Sequence, residues 1–237
     1  MDGTLIVSER RRIIILRFYS GKLYNPGGNL LNQVLIATAI EKGDRDEDRL
    51  AVQRTATGLI VVVADGAGGV GGGAVAAQCI CDLLIGRPLE TGRSAEDWVT
   101  ALQNADRKML TSREGGLTTA VVLEVSGTVV FGASVGDSGA WMIGSKGIVV
   151  DLTRDQLRKP LVGNGEALPV AFGPNFIDGR LLVATDGLFK FAPRAELAQR
   201  AVAGPLDTAV GALIDSVRLR SGALQDDVAA GLVELAD

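Results

Sequence analysis

Short apolar, β-branched runs recur along the whole chain: "RIIILRF" (12–18), "VLIATAI" (34–40), "LIVVVA" (59–64), "TAVVLEV" (119–125), "TVVFGASV" (128–135), "AWMI" (140–143), "GIVVDL" (147–152), "RLLVAT" (180–185) and "VAAGLVEL" (228–235). Most are bounded by Gly, Asp, Asn or Ser, the pattern of strands joined by turns. Between "EVSG" and "TVV" the link is short enough for a hairpin. Three stretches change to helical spacing. Residues 72–86 follow a glycine-rich loop. Residues 94–113 open with Ser94 and Asp97 as a cap and place Trp98, Leu102, Ala105 and Met109 on one stripe, and residues 205–220 do the same with Leu206, Val210, Leu213 and Val217. A further short helix is expected at 193–203, and the Gly-, Pro- and Asn-rich segment 154–179 reads as a long irregular loop. Strands interrupted by paired helices imply two layers of sheet with helices outside.

The composition supports a large core: 47% of the 237 residues are hydrophobic and 22% charged, so a single domain spanning 1–237 needs no disulfide staples. The formal net charge of −4 argues against nucleic acid as a partner, since phosphate-backbone binding relies on a basic face; Arg10, Arg11 and Arg12 are a short local exception. Cys79 and Cys81, two apart on the expected helix, diverge and read as thiols of a reducing compartment. No apolar run approaches a membrane span, and the opening "MDGTLIVSERRR" lacks the basic-then-apolar order of a signal peptide, so the cytoplasm is the expected location. Histidine is absent. That removes Ser-His-Asp and Cys-His catalysis, histidine-ligated zinc and histidine general bases, leaving carboxylates, lysine, backbone or metal-bound water to do chemistry.

The aspartates gather where apolar strands stop. Asp65 ends "LIVVVA", Asp137 follows "GASVG", Asp186 ends "LLVAT", "DRDED" (44–48) precedes "RLAVQ", and Asp226 and Asp227 precede the last strand. Each could be a turn residue on its own. Together they can converge at one end of a sheet, where only cations make such a cluster tolerable; oxygen ligands select magnesium or manganese. The stretch 59–78 also contains GxGxxG at Gly66, Gly68 and Gly71, with Glu90 near the place of a ribose-binding acid. Asp65 immediately before the first glycine has the wrong sign for a pyrophosphate unless a metal ion lies between them.

Seven segments in order resemble the metal-dependent protein phosphatases, the PPM or protein phosphatase 2C family, in its bacterial form: "DED" (46–48), "VADGAGGVGGGAVAA" (63–77), "LTTAVV" (117–122), "VGDSGAWMI" (135–143), "DLTRDQ" (151–156), "LLVATDGLF" (181–189) and "QDDVA" (225–229). The resemblance implies an α+β fold, a four-layer αββα sandwich of two mainly antiparallel sheets flanked by helix pairs. It implies a phosphoserine/phosphothreonine phosphatase that works by attack of a hydroxide bridging two manganese or magnesium ions. Carried over, Asp65 bridges both ions with the Gly66 carbonyl on one of them, Asp186 and Asp226 hold the other, and Glu47 and Asp48 ligate or orient water at the first. Asp137 belongs to a weak third metal site, and Arg45 is the candidate for the substrate phosphate. The implied partners are a phosphorylated protein and a cognate Ser/Thr kinase, with neither nucleic acid nor membrane. On this reading the glycines let the chain turn sharply behind Asp65 and let backbone approach an ion.

Several positions depart from the family pattern. Ala67 replaces a histidine proposed elsewhere as general acid, Leu117 a glycine, Gly139 an arginine and Asp227 an asparagine. Lys190 stands where many relatives are acidic, which places an ammonium toward the third-metal region. Ala67, Gly139 and Lys190 also suit an alternative, a catalytically weak phosphatase-like binding or regulatory module. Residues 1–33 match no family segment and either extend a sheet edge or offer a strand to a partner.

Overall fold

The run "LIVVVA" is apolar at every position because both faces of its strand are covered. In the computed structural model, which describes residues 4–6, 12–18, 33–67, 71–86, 93–112 and 115–236, this run lies in β5 (Gly58–Ala67). Leu59, Val61 and Val63 face one core, and Ile60, Val62 and Ala64 face another. The alternation follows from the two-residue period of a strand. Gly68, Glu90, Arg10 and Arg11 lie outside the described residues.

Two antiparallel sheets stack face to face. The first runs in the order β1 (Thr4–Ile6), β4 (Asp48–Arg54), β5, β7 (Ala120–Ser126), β8 (Val129–Val135) and β11 (Val170–Phe176), with the short β6 (Leu117–Thr118) beside β5. The second runs β10 (Val149–Asp151), β9 (Gly139–Ile143), β12 (Arg180–Ala184), β13 (Val228–Ala236), β3 (Gln33–Glu41) and β2 (Arg12–Phe18). Helices α1 (Gly73–Leu84) and α2 (Ala95–Ser112) cover the first sheet. Helices α3 (Asp186–Phe189), α4 (Arg194–Ala201) and α5 (Leu206–Ser216) cover the second. Three cores therefore separate four layers, as the αββα expectation requires: Ile80, Leu84 and Leu102 under α1 and α2; Ile36, Leu50, Leu123 and Leu181 between the sheets; Leu197, Leu213 and Ile214 under α4 and α5.

Local signals explain the element ends. Ser94 Oγ accepts the Asp97 amide at 3.3 Å while Asp97 Oδ2 accepts the Ser94 amide at 2.8 Å, a reciprocal cap that starts α2. Glu124, buried on β7, accepts both Arg93 Nε and Nη2 and the Trp98 indole N–H, which fixes that end of α2 to the sheet.

Two expectations are corrected. The segment read as a loop at 154–179 contains β11, whose "VAFGPNF" carries a proline and a register shift between Phe172 and Asn175, tolerable because it is an edge strand. The helix expected to reach 220 stops at Ser216, after which Arg218 forms a bridge with Leu224. Of the two roles left open for the N-terminal segment, extension of a sheet edge is the one observed, in both sheets: β1 pairs with β4 and β2 with β3, each antiparallel.

Candidate functional site

The acids meet because the site continues the inward-facing parity of three strands. Leu50 and Val52 of β4, Val61 and Val63 of β5, and Leu181 and Val183 of β12 all face the core between the sheets. Counting in twos places Asp48, Asp65 and Thr185 on that same face, and Asp48 stands directly opposite Asp65 in the ladder. Thr185 crosses between sheets, donating its hydroxyl to Asp48 Oδ2 at 2.6 Å and accepting the Ala229 amide at 2.9 Å. Asp186 opens α3 immediately beyond, and Asp226 and Asp227 precede β13.

Burial and mutual repulsion dominate the electrostatics. Asp48 is 4% exposed; burial and the Asp65 charge push its carboxyl well above the usual range against the Thr185 hydrogen bond. Asp65 is pushed up to about 8 by burial, then by Asp186, Asp226 and Asp137. Asp186 is raised by burial and by Asp137, with Lys190 opposing. Burial raises Glu47 too, with Arg45 opposing, and its buried Oε2 has no hydrogen-bond partner among the described residues.

The donor set is all oxygen and fits a hard divalent cation. The orphaned Glu47 oxygen fits it as well, since a buried acceptor otherwise goes unpaired. Among the described residues no three acids, cysteines or histidines are already disposed to hold a metal ion. Asp65 and Asp186 repel one another between the two sheets, a repulsion that a divalent cation would relieve.

Backbone clamps set the positions. Thr119 Oγ1 accepts the Asp65 amide at 2.9 Å and sits 2.6 Å from Ser138 Oγ; Thr118 Oγ1 and the Thr119 amide both donate to the Asp65 carbonyl at 2.9 Å. Asp227 accepts the Gly43 and Glu47 amides, each at 2.6 Å, and so ties the acidic loop to β13. Thr118, Thr119, Ser138, Thr185 and Asp227 thus shape the site, although only the acids drew attention by their chemistry. For Ser138 and Thr185 a signal was present in "GDS" and "TDG", whose hydroxyls stand beside a strand-ending acid; Thr118 and Thr119 of "LTTAVV" have no acid beside them in the sequence.

The glycine beside Asp65 also answers to packing. A Cβ on Gly66 would lie 2.3 Å from the Gly73 backbone, so Gly66 is required by the close approach of α1; the turn itself is made at Gly71 and Gly72, with φ of 73° and 79°. Asp137 lies between β8 and β9, within electrostatic reach of Asp65 and Asp186. Arg45 is exposed near Glu47. Lys190 takes an intermediate position: its side chain is 59% exposed, yet Nζ is 3.6 Å from Asp186 Oδ2.

Residues 37–159 match the family model described as Protein phosphatase 2C. A bacterial serine phosphatase shares the fold with a TM-score of 0.73 at 21% identity, over 85% of this chain and 98% of that one. A serine/threonine phosphatase from Staphylococcus aureus gives 0.71 at 21%, over 85% and 95%. The Mycobacterium tuberculosis serine/threonine phosphatase gives 0.70 at 20%, over 86% and 99%. No curated protein matches the chain in sequence.

Proposed function

The chain belongs to the protein phosphatase 2C family of metal-dependent protein serine/threonine phosphatases, and we propose that the acids at one end of its inter-sheet core are the catalytic centre. The observation that carries this is the facing of Asp48 and Asp65 from one sheet with Asp186 and Asp226 from the other. Clustered carboxylates are costly to a fold unless a cation is to be held there.

On this proposal Asp65, Asp186 and Asp226, with Glu47, Asp48 and the Gly66 carbonyl, hold two manganese or magnesium ions, and Asp137 serves a weaker third. When bound, such ions neutralise the carboxylates and activate water and phosphate for in-line displacement. The chain's own part is positional. Thr118 and Thr119 hold the Asp65 backbone, Thr185 orients Asp48, and Asp227 holds the loop that carries Glu47. Arg45, exposed at the rim beside Glu47, meets a phosphate oxygen of the arriving substrate. As a water oxygen bonds to phosphorus it would give up one proton to solvent, and as the ester P–O bond breaks the departing seryl or threonyl oxygen would take a proton from solvent, because Ala67 offers none.

The substrate is a phosphoprotein, with a cognate kinase and a cytoplasmic setting as parts of the same proposal. No helix among the described residues is long and apolar enough to cross a membrane. The test is hydrolysis of p-nitrophenyl phosphate and of a phosphothreonine peptide by metal-stripped protein, with manganese and with chelator. Turnover only with manganese is expected; full turnover in chelator overturns the proposal, and none in either condition favours a non-catalytic binding module.

A further inference from the structure

A polar cavity of about 330 Å³ opens between the free edges of the two sheets, where β10 and β11 end their respective strand orders. Two polar atoms in its wall are buried and without a hydrogen-bond partner among the described residues: Ser134 Oγ, on a residue 1% exposed, and Gln156 Oε1. Native folds leave few such atoms, so each asks for a partner that the chain does not supply.

The wall favours a particular chemistry. Gln156 Nε2 donates to the Ser138 carbonyl at 2.7 Å, so its oxygen is left as an acceptor. Asp151 and Asp155 bring two carboxylates against the single guanidinium of Arg154, which is paired with Asp155 in a solvent-facing position. Phe172 adds an aromatic ring. Acceptors, a negative balance and a ring together suit a compact donor-rich cation.

We propose that this cavity binds a small organic cation of the alkylammonium or guanidinium class, and that its occupancy is felt at Asp65. The path is short: Gln156 holds the Ser138 carbonyl, Ser138 Oγ is hydrogen-bonded to Thr119 Oγ1 at 2.6 Å, and Thr119 Oγ1 accepts the Asp65 amide. A cation drawn to Gln156 Oε1 tightens the amide's grip on Ser138, the first link of that chain.

The experiment is a titration of the full chain, in excess magnesium, with methylguanidinium and ethylammonium chlorides, read by amide NMR; sodium chloride and glycerol serve as controls. Saturable shifts at Ser134, Gln156 and Phe172 with Kd about 1 mM or tighter are expected, accompanied by shifts at Thr119 and Asp65. Ser134→Ala and Asp151→Asn should each weaken binding by about tenfold while thermal unfolding confirms that both remain folded. Asp151→Asn retains the acceptor for Thr153, so the charge alone is removed. Unsaturable shifts, equal shifts with glycerol, or binding unaffected by both variants would mean that the cavity holds water only and would overturn the proposal. Binding without movement at Thr119 and Asp65 would overturn the coupling. Neither readout depends on turnover, so the outcome is separate from that of the phosphatase test.

Discussion

Asp106 on α2 and Asp65 at the end of β5 both place a carboxylate inside the sandwich, and their surroundings treat the charge in opposite ways. Asp106, 2% exposed, accepts backbone amides from Gly163 at 2.6 Å and from Gly165 and Ala167 at 3.0 Å each. Every donor is fixed, so the carboxylate is satisfied by the chain alone and ties the 163–167 loop to the helix. Asp65 faces Asp186, Asp226 and Asp137, and its carboxyl is pushed up to about 8. The first arrangement is complete without a ligand; on the proposed function the second is completed by divalent cations. Structural acids and functional acids in this fold differ in whether the protein itself provides the compensating groups.

The sharpest way to break this contrast is Asp65→Asn. Activity should fall by about three powers of ten or more, roughly 4 kcal/mol in barrier, while the metal-free protein stays folded and at least as stable as wild type. Steady-state turnover and thermal unfolding check the two halves. Asp106→Ala should do the reverse, costing about 3 kcal/mol of stability in urea unfolding because three amides lose their acceptor, with manganese affinity retained in the folded fraction.

The contrast also has a pH signature. Between the ordinary carboxylate value near 3.8 and about 8, native Asp65 keeps a proton that the unfolded chain has released, so the unfolded state binds fewer protons and stability falls as pH rises. Metal-free protein should therefore lose on the order of 2 kcal/mol between pH 5 and pH 8, and magnesium should reverse the loss. Urea midpoints across that range measure it.

How much of this could be read from the sequence follows from what each residue must do. The strand-ending acids and the motif order pointed to the αββα fold and to the acids that the structure brings together as the candidate site, because Asp after an apolar run leaves a chemical trace. Which face Asp65 takes was not legible: "LIVVVA" is apolar on both sides, so the alternation that would assign it carries no contrast. Strand β11 was hidden by Gly173, Pro174 and Asn175, which read as loop yet sit on an edge. The Asp106 loop clamp was invisible because its partners are backbone amides 57 to 61 residues away.

Smaller effects probe the clamps. Thr119→Val removes the hydroxyl between Asp65 and Ser138 and should lower kcat by about tenfold with little change in KM, and Thr119→Ser should restore most of it. Lys190→Asp should change manganese-dependent activity less than about threefold, because its ammonium is largely solvated despite lying near Asp186. A large rise at high manganese would place Lys190 inside the metal-binding region after all.

The most direct measurement is a calorimetric titration of metal-stripped wild-type protein and Asp65→Asn with manganese at pH 7, repeated in buffers of different ionisation enthalpy. Wild type should take up two ions per chain and release protons as Asp65 and its neighbours ionise, with Asp65→Asn losing most of the binding. Binding that is absent in wild type, or unchanged in stoichiometry and proton release by Asp65→Asn, would contradict the claim that these acids form the metal centre.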